Sequence, residues 1–187
     1  MPRLFTGIEL PDDVVWRLSM IRAGLPGAHW IDPDNYHITL RFAGDMSERQ
    51  ADLFARALDD VWFDSFELEV QGLGSFGGYK PRSIWAAIKP SRQLDELQRA
   101  HERAARIAGL PPETRNFVPH ITVARLRNTR PHTVADFLAG QGGLFLSPFH
   151  VSRFVLFSSR PNTGGGPYLV EAGYDARDAG YADEEAA

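Results

Sequence analysis

The chain carries His37-Ile38-Thr39-Leu40 in its first half and His120-Ile121-Thr122-Val123 in its second. Working outward, the surroundings recur as well. Leu4-Phe5-Thr6-Gly7-Ile8-Glu9-Leu10, Pro11, a helical pattern over 12–23 and Gly24-Leu25-Pro26 precede the first copy. Ser83-Ile84-Trp85-Ala86-Ala87-Ile88-Lys89, Pro90, a helical pattern over 92–108 and Gly109-Leu110-Pro111 precede the second. Each copy is followed by a turn, a short helix (48–59 and 133–139) and a strand (66–70 and 149–157). Such self-similarity is the mark of an internal repeat.

Local physics supports the reading. Proline after a strand suits the first turn of a helix, where its missing N–H costs nothing. Glycine at the far end is free to take positive φ. Val14, Leu18 and Ile21 follow helical spacing, as do Leu94, Leu97, Ala104 and Ile107. Each half therefore reads strand–helix–strand–helix–strand. The expected architecture is α+β: two pseudo-symmetric lobes of mainly antiparallel sheet, helices outside, in one domain over 1–174 with lobe repeats about 4–70 and 83–157. The glycine-rich stretch 72–78 is expected to join the lobes, and 162–167 to be a loop between two final strands, 151–157 and 168–172.

Composition bounds the rest. The 187 residues are 43% apolar, ample for a core, and no apolar run reaches the ~20 residues of a membrane span. The opening Met1–Gly7 shows no basic stretch followed by an apolar one, so no signal peptide is expected. With no cysteine there can be no disulfide, thiolate metal site or cysteine nucleophile. A cytoplasmic monomer is the expectation. The net charge is −4, and the stretch 175–187, with five acids and one arginine, carries all of it. That stretch is expected to be a flexible acidic tail on a neutral body. A neutral body suits one phosphate and a nucleotide or two better than a long duplex.

In a strand, residues two apart share a face. His37 and Thr39 then point one way and Ile38 and Leu40 the other; His120 and Thr122 are set against Ile121 and Val123 in the same manner. Two lobes facing each other would bring two imidazoles and two hydroxyls around one small volume. With an ordinary pKa of about 6.5, imidazoles can divide acid and base work near neutrality. Each such proton transfer is typically worth about 10²–10⁴-fold in rate. The threonine hydroxyls can donate to phosphate oxygens that gain charge in the transition state. A single HxT segment is more often structural; core packing explains Ile38 and Ile121 but not the same His and Thr twice.

At these residues the sequence resembles the 2H phosphoesterase superfamily. Within it, the chain looks like the bacterial and archaeal RNA 2′,3′-cyclic phosphodiesterases, also called 2′-5′ RNA ligases. Further matches are Leu4-Phe5-Thr6-Gly7-Ile8, His37-Ile38-Thr39-Leu40-Arg41-Phe42-Ala43-Gly44-Asp45, Pro81-Arg82-Ser83-Ile84-Trp85 and the run from Arg115 to Arg125, in which Phe117-Val118-Pro119 leads into the second motif. The resemblance covers about residues 3–174; Tyr36, where an aliphatic residue is expected, and the acidic tail depart from it. It implies a bilobal fold with the motifs facing each other across a central groove. It also implies a metal-independent hydrolysis of RNA 2′,3′-cyclic phosphate ends to 2′-phosphomonoesters, with no cofactor. His37 would be the general acid, His120 the general base, and Thr39 and Thr122 phosphate ligands. In reverse, with an RNA 5′-hydroxyl in place of water, the site would join ends through a 2′-5′ bond without ATP.

Other residues are weighed individually. Arg125 lies one strand step off the polar face, so only a bulge or strand end would bring its guanidinium to the phosphate. Arg41 shares the parity of His37 and Thr39 and would line the groove or its rim. Phe5, Tyr79 and Trp85 are candidates to stack on a terminal base, although aromatic strand residues are more often core. His29, His101, His132 and His150 have no paired context and read as structural or surface groups. No His/carboxylate cluster has metal-ligand spacing, Gly164-Gly165-Gly166 lacks the Gly-Lys-Ser/Thr ending of a P-loop, and no serine sits in a nucleophile elbow. Two other functions fit the same motifs: a non-catalytic module binding RNA ends or nucleotides, and a related enzyme acting on a small cyclic nucleotide.

Overall fold

The computed structural model describes residues 3–159 and 166–178. Strand β1 (Arg3–Glu9) leads through Pro11 into helix α1 (Asp12–Ser19), which opens on two acids, Asp12 and Asp13, suited to the positive helix N-terminus, and buries Val14 and Leu18. The helix stops four residues short of the sequence expectation: Ile21 N–H bonds to Leu18 O and Arg22 N–H to Ser19 O, a tightening turn that still buries Ile21. A short strand not expected from the sequence, β2 (Ala28–Trp30), and a 3₁₀ turn (Pro33–Asn35) precede β3 (His37–Asp45). Helix α2 (Glu48–Asp59) has the expected bounds because Ser47 and Gln50 cap each other reciprocally. Strands β4 (Phe66–Leu68) and β5 (Val70–Phe76) close the first half.

The second half repeats the order with β6 (Ser83–Ile88), α3 (Arg92–Ile107), β7 (His120–Leu126), α4 (Pro131–Gly140), β8 (Phe149–Val151) and β9 (Arg153–Ser159), and adds β10 (Tyr168–Asp175). Ser91 caps α3, and Gly109 ends it at φ +81°, with Leu110 N–H bonded to Ala105 O. Gly24, its counterpart after α1, does not take positive φ; Gly27 does, at +78°.

One antiparallel sheet has the order β10-β9-β1-β3 and the other β2-β7-β6-β5. Strands β4 and β8 pair with each other (Phe66 opposite Val151). The sequence repeats and the lobes are therefore not the same objects. After β4 the chain crosses to lay β5 beside β6, and after β8 it crosses back to lay β9 beside β1. The stretch 72–78, expected to be a linker, lies mostly within β5. Gly74 serves close approach: a Cβ there would stand 2.4 Å from the Trp85 ring. The expected single strands 66–70 and 149–157 each divide in two at the crossings.

The main core is continuous across both halves, from Leu4, Ile8 and Ile38 to Ile84, Leu94, Ile121 and Phe154. The chain also stays bound beyond the expected boundary at 174. Asp175 pairs with Arg153 in β10, Arg177 N–H bonds to Phe63 O, and the Asp178 carboxylate accepts from Ser65 N–H at 2.6 Å and Ser65 Oγ at 3.0 Å. Capping of an exposed turn by a carboxylate holds residues that net charge alone assigns to a tail. The rest of the expected tail, 179–187, and most of the expected loop 162–167 lie outside the described residues. Among the described residues no helix is long and apolar enough to cross a membrane.

Candidate active site

Strands β3 and β7 contact each other across the junction of the sheets. Both bulge at the same place. In β3 Gly7 pairs with Thr39 and Thr6 with Arg41, leaving Leu40 extra; in β7 Trp85 pairs with Thr122 and Ile84 with Ala124, leaving Val123 extra. A bulge reverses the alternation beyond it. His37, Thr39, His120 and Thr122 stay half-exposed on the groove face while Ile38, Leu40, Ile121 and Val123 are buried. Past the bulge, Arg41 and Ala124 turn inward, and Phe42 and Arg125 turn out to the groove.

The two imidazoles are held in the same way. His37 Nδ1 lies 2.8 Å from Asn35 O and His120 Nδ1 lies 2.6 Å from Val118 O. A carbonyl only accepts, so Nδ1 carries the hydrogen on both rings and each Nε2 is the atom left to exchange a proton. Thr39 Oγ1, at 3.0 Å, donates to His37 Nε2 when that ring is neutral. Burial, with a smaller push from His120 nearby, brings His37 down to about 4; burial also lowers His120. Both rings are thus neutral at pH 7 in the empty groove. Aromatic rings pack around them: Phe5, Phe157 and Tyr168 lie 5.0, 5.5 and 5.2 Å from His37, and Phe76 and Trp85 lie 5.0 and 6.0 Å from His120.

The groove has two chambers, of about 490 and 550 Å³. His37, Thr122, Arg125 and Tyr168 line the first, and His120, Phe76, Arg115 and Asn116 the second; Thr39, Phe42, Arg82 and Ser83 border both. The residues named from sequence separate accordingly. His37, Thr39, Thr122 and Arg125 share the first chamber, and His120 lines the adjoining one, which Thr39 also borders. Phe5 reaches the first chamber but is only 4% exposed and mainly supports the His37 ring. Trp85 likewise packs on His120 and under Gly74. Tyr79 is 97% exposed on the turn between β5 and β6, outside both chambers, so its expected stacking role does not stand.

Arg41 borders the second chamber, as expected of a groove or rim residue, but the bulge at Leu40 tucks its guanidinium toward the helix side. Its guanidinium lies 2.6 Å from Glu102 and donates to Phe42 O and Pro111 O, both at 2.6 Å. Glu102 in turn accepts from Glu113 N–H, and Glu113 holds Arg115, whose guanidinium keeps that carboxyl at about 2. The chain of contacts braces the segment that carries Val118 O, the partner of His120. Sequence reading missed Phe42, Phe76, Arg82, Ser83 and Tyr168 as groove residues. Parity after a bulge would have found Phe42; no local signal marks the others.

Comparison with known proteins bears on the family and the fold. The family model described as LigT like Phosphoesterase matches residues 8–85 and again 88–168. A protein of Aeropyrum pernix named RNA 2′,3′-cyclic phosphodiesterase is 35% identical over 118 residues, 61% of this chain and 65% of that protein. One of the same name from Archaeoglobus fulgidus is 28% identical over 161 residues, 84% of this chain and 90% of its own. The fold is that of E. coli LigT complexed with 3′-AMP, with a TM-score of 0.76 at 23% identity over 95% of this chain and 100% of that one.

Proposed function

The chain belongs to the LigT-like phosphoesterase family, and from that premise we propose that it opens 2′,3′-cyclic phosphates at RNA ends to 2′-phosphomonoesters, using His37 and His120 as an acid–base pair and no metal. The observation that carries the reading is the mirrored pair of Nδ1–carbonyl bonds, which leaves two Nε2 atoms to work on one groove. Relatives named for this activity support the substrate class.

In this reading His120 Nε2 takes a proton from water as its oxygen attacks phosphorus. The bond from phosphorus to the 3′ oxygen breaks, and His37 Nε2–H protonates that oxygen. Thr39, Thr122 and the Arg125 guanidinium hold the non-bridging oxygens, which gain charge in the transition state. Because burial keeps both rings neutral when the groove is empty, His37 takes up its proton from solvent as the substrate binds: a phosphate monoanion beside an imidazole favours its charged form. The two rings titrate as a pair, and the acid and base roles follow the family pattern. The same steps run backward with an RNA 5′-hydroxyl would form a 2′-5′ bond.

The test is a short RNA ending in a 2′,3′-cyclic phosphate, incubated with purified protein and chelator, with the terminal phosphate identified. A 2′-phosphate formed by the wild type and lost in both His37→Ala and His120→Ala is the expected result. No conversion by folded wild-type protein would sink the reading. Tight binding of the same RNA without turnover would assign the groove to a binding module instead.

A further inference from the structure

The groove holds more positive charge than a cyclic phosphate needs. Five arginines border its two chambers: Arg3, Arg41, Arg82, Arg115 and Arg125. Three are neutralised: Arg3 by Asp45 at 3.2 Å, Arg41 by Glu102 at 2.6 Å and Arg115 by Glu113 at 2.9 Å. Arg82 and Arg125 have no carboxylate partner among the described residues. A 2′,3′-cyclic phosphate is a monoanion, which Arg125 and the two threonines suffice to hold. Arg82 is left over.

Its position is well defined. Arg82 N–H donates to Phe76 O and Arg82 O accepts from Leu126 N–H, both at 2.8 Å, so its backbone is pinned between β5 and β7. The next residue, Ser83, pairs with Arg125. Arg82 also borders both chambers, whereas Arg125 lines only the first. Each chamber alone falls within the range of about 300–1,000 Å³ that takes a compact small molecule. With its phosphate held between the two histidines, a cyclic mononucleotide would extend its nucleoside into one chamber and leave the rest of the other open.

We propose that Arg82 binds a second phosphate, the phosphodiester linking the terminal nucleotide to its neighbour, and so makes the enzyme select an oligonucleotide end over a cyclic mononucleotide. The inference rests on the cyclic phosphodiesterase reading above. A guanidinium offers paired donors to phosphate oxygens and keeps its charge at any working pH. Phe42 and Phe76, which border the second chamber, present aromatic surface to the base on that side.

The experiment compares three substrates: a 2′,3′-cyclic mononucleotide, a dinucleotide ending in a 2′,3′-cyclic phosphate, and the same dinucleotide with an uncharged methylphosphonate linkage. For the wild type, kcat/KM for the charged dinucleotide is expected to exceed that for the methylphosphonate by about tenfold to a hundredfold, the range of a charge-assisted hydrogen-bonded contact. Arg82→Ala should bring that ratio close to one, and Arg82→Lys should restore part of it. A wild-type ratio near one, or one that persists in Arg82→Ala, overturns the role of Arg82. The methylphosphonate comparison needs no variant, so misfolding of Arg82→Ala does not protect the idea. Turnover of all three substrates at one rate would defeat only this inference, whereas turnover of none would defeat the underlying function and this inference with it.

Discussion

Strands β3 and β7 share a motif, a bulge and a way of holding the histidine, yet they supply different things past the bulge. On β3 the next two residues are Arg41 and Phe42; on β7 they are Ala124 and Arg125. The bulge sends the first of each pair inward and the second to the groove. One strand therefore gives the groove an aromatic face and spends its arginine on a brace to Pro111 and Glu102. The other gives the groove a guanidinium and needs only a small residue inside. Duplicated strands can thus keep the same side chains at two positions and differ at the next two, one arginine buried in a brace and the other open to the groove.

The largest expected effect tests what the strands share. His37→Ala and His120→Ala should each lower kcat/KM on a cyclic-phosphate RNA end by about 10²–10⁴-fold. A loss confined to one of them would break the symmetry of the pair. The next tests the division of labour. Arg125→Ala should cost roughly tenfold to a hundredfold in kcat/KM, as expected for a charged hydrogen-bonding contact made in the transition state, and Phe42→Ala clearly less. Equal losses would mean that the two outward residues do the same work.

Arg41→Ala should act on stability. Removing one partner of a buried ion pair is typically worth about 3–5 kcal/mol, and because Glu102 keeps 23% exposure the loss expected here is roughly 1–3 kcal/mol, read from chemical denaturation. Ala124→Gly, on the matching position, should leave the Glu102 brace intact and shift stability less.

A further test concerns pH and contrasts a groove histidine with a core one. His101 is fully buried in α3, its Nδ1 donating to Leu97 O, and burial pushes it down to about 4, as it does His37. The unfolded chain binds these protons near pH 6.5 and the folded chain does not. Their contribution to stability is thus present above pH 6.5 and lost as pH falls towards 4, by about 2 kcal/mol per histidine between pH 7 and 5. Urea midpoints across that range should fall in the wild type and fall less in His101→Leu. A bound phosphate analogue should shift the His37 titration upward and leave that of His101 alone.

Much of the molecule is legible in the residues. The cap at Ser47 with Gln50 places α2 to the residue, and the alternation in His37-Ile38-Thr39-Leu40 places the histidines and threonines on one face. The misreadings share a cause. Gly72 and Gly74 look like a linker, but they are strand residues, and Gly74 lets Trp85 approach. Parity puts Arg41 with His37, but a bulge tucks its guanidinium against Glu102 at the edge of the second chamber. Asp175 and Asp178 look like tail charge, but β10 and Ser65 bind them.

From sequence alone come the repeat, the α+β class and the shared face of the four motif residues, because these depend on periodicities of two and 3.6 and on side-chain type. The tertiary structure alone decides that each half lends strands to the other sheet, that Arg41 braces while Arg125 opens to the groove, and that Arg82 borders both chambers. Those outcomes depend on which backbones pair, and in what register, between segments far apart in the chain. A one-residue bulge there changes a side chain's partner without changing any local pattern.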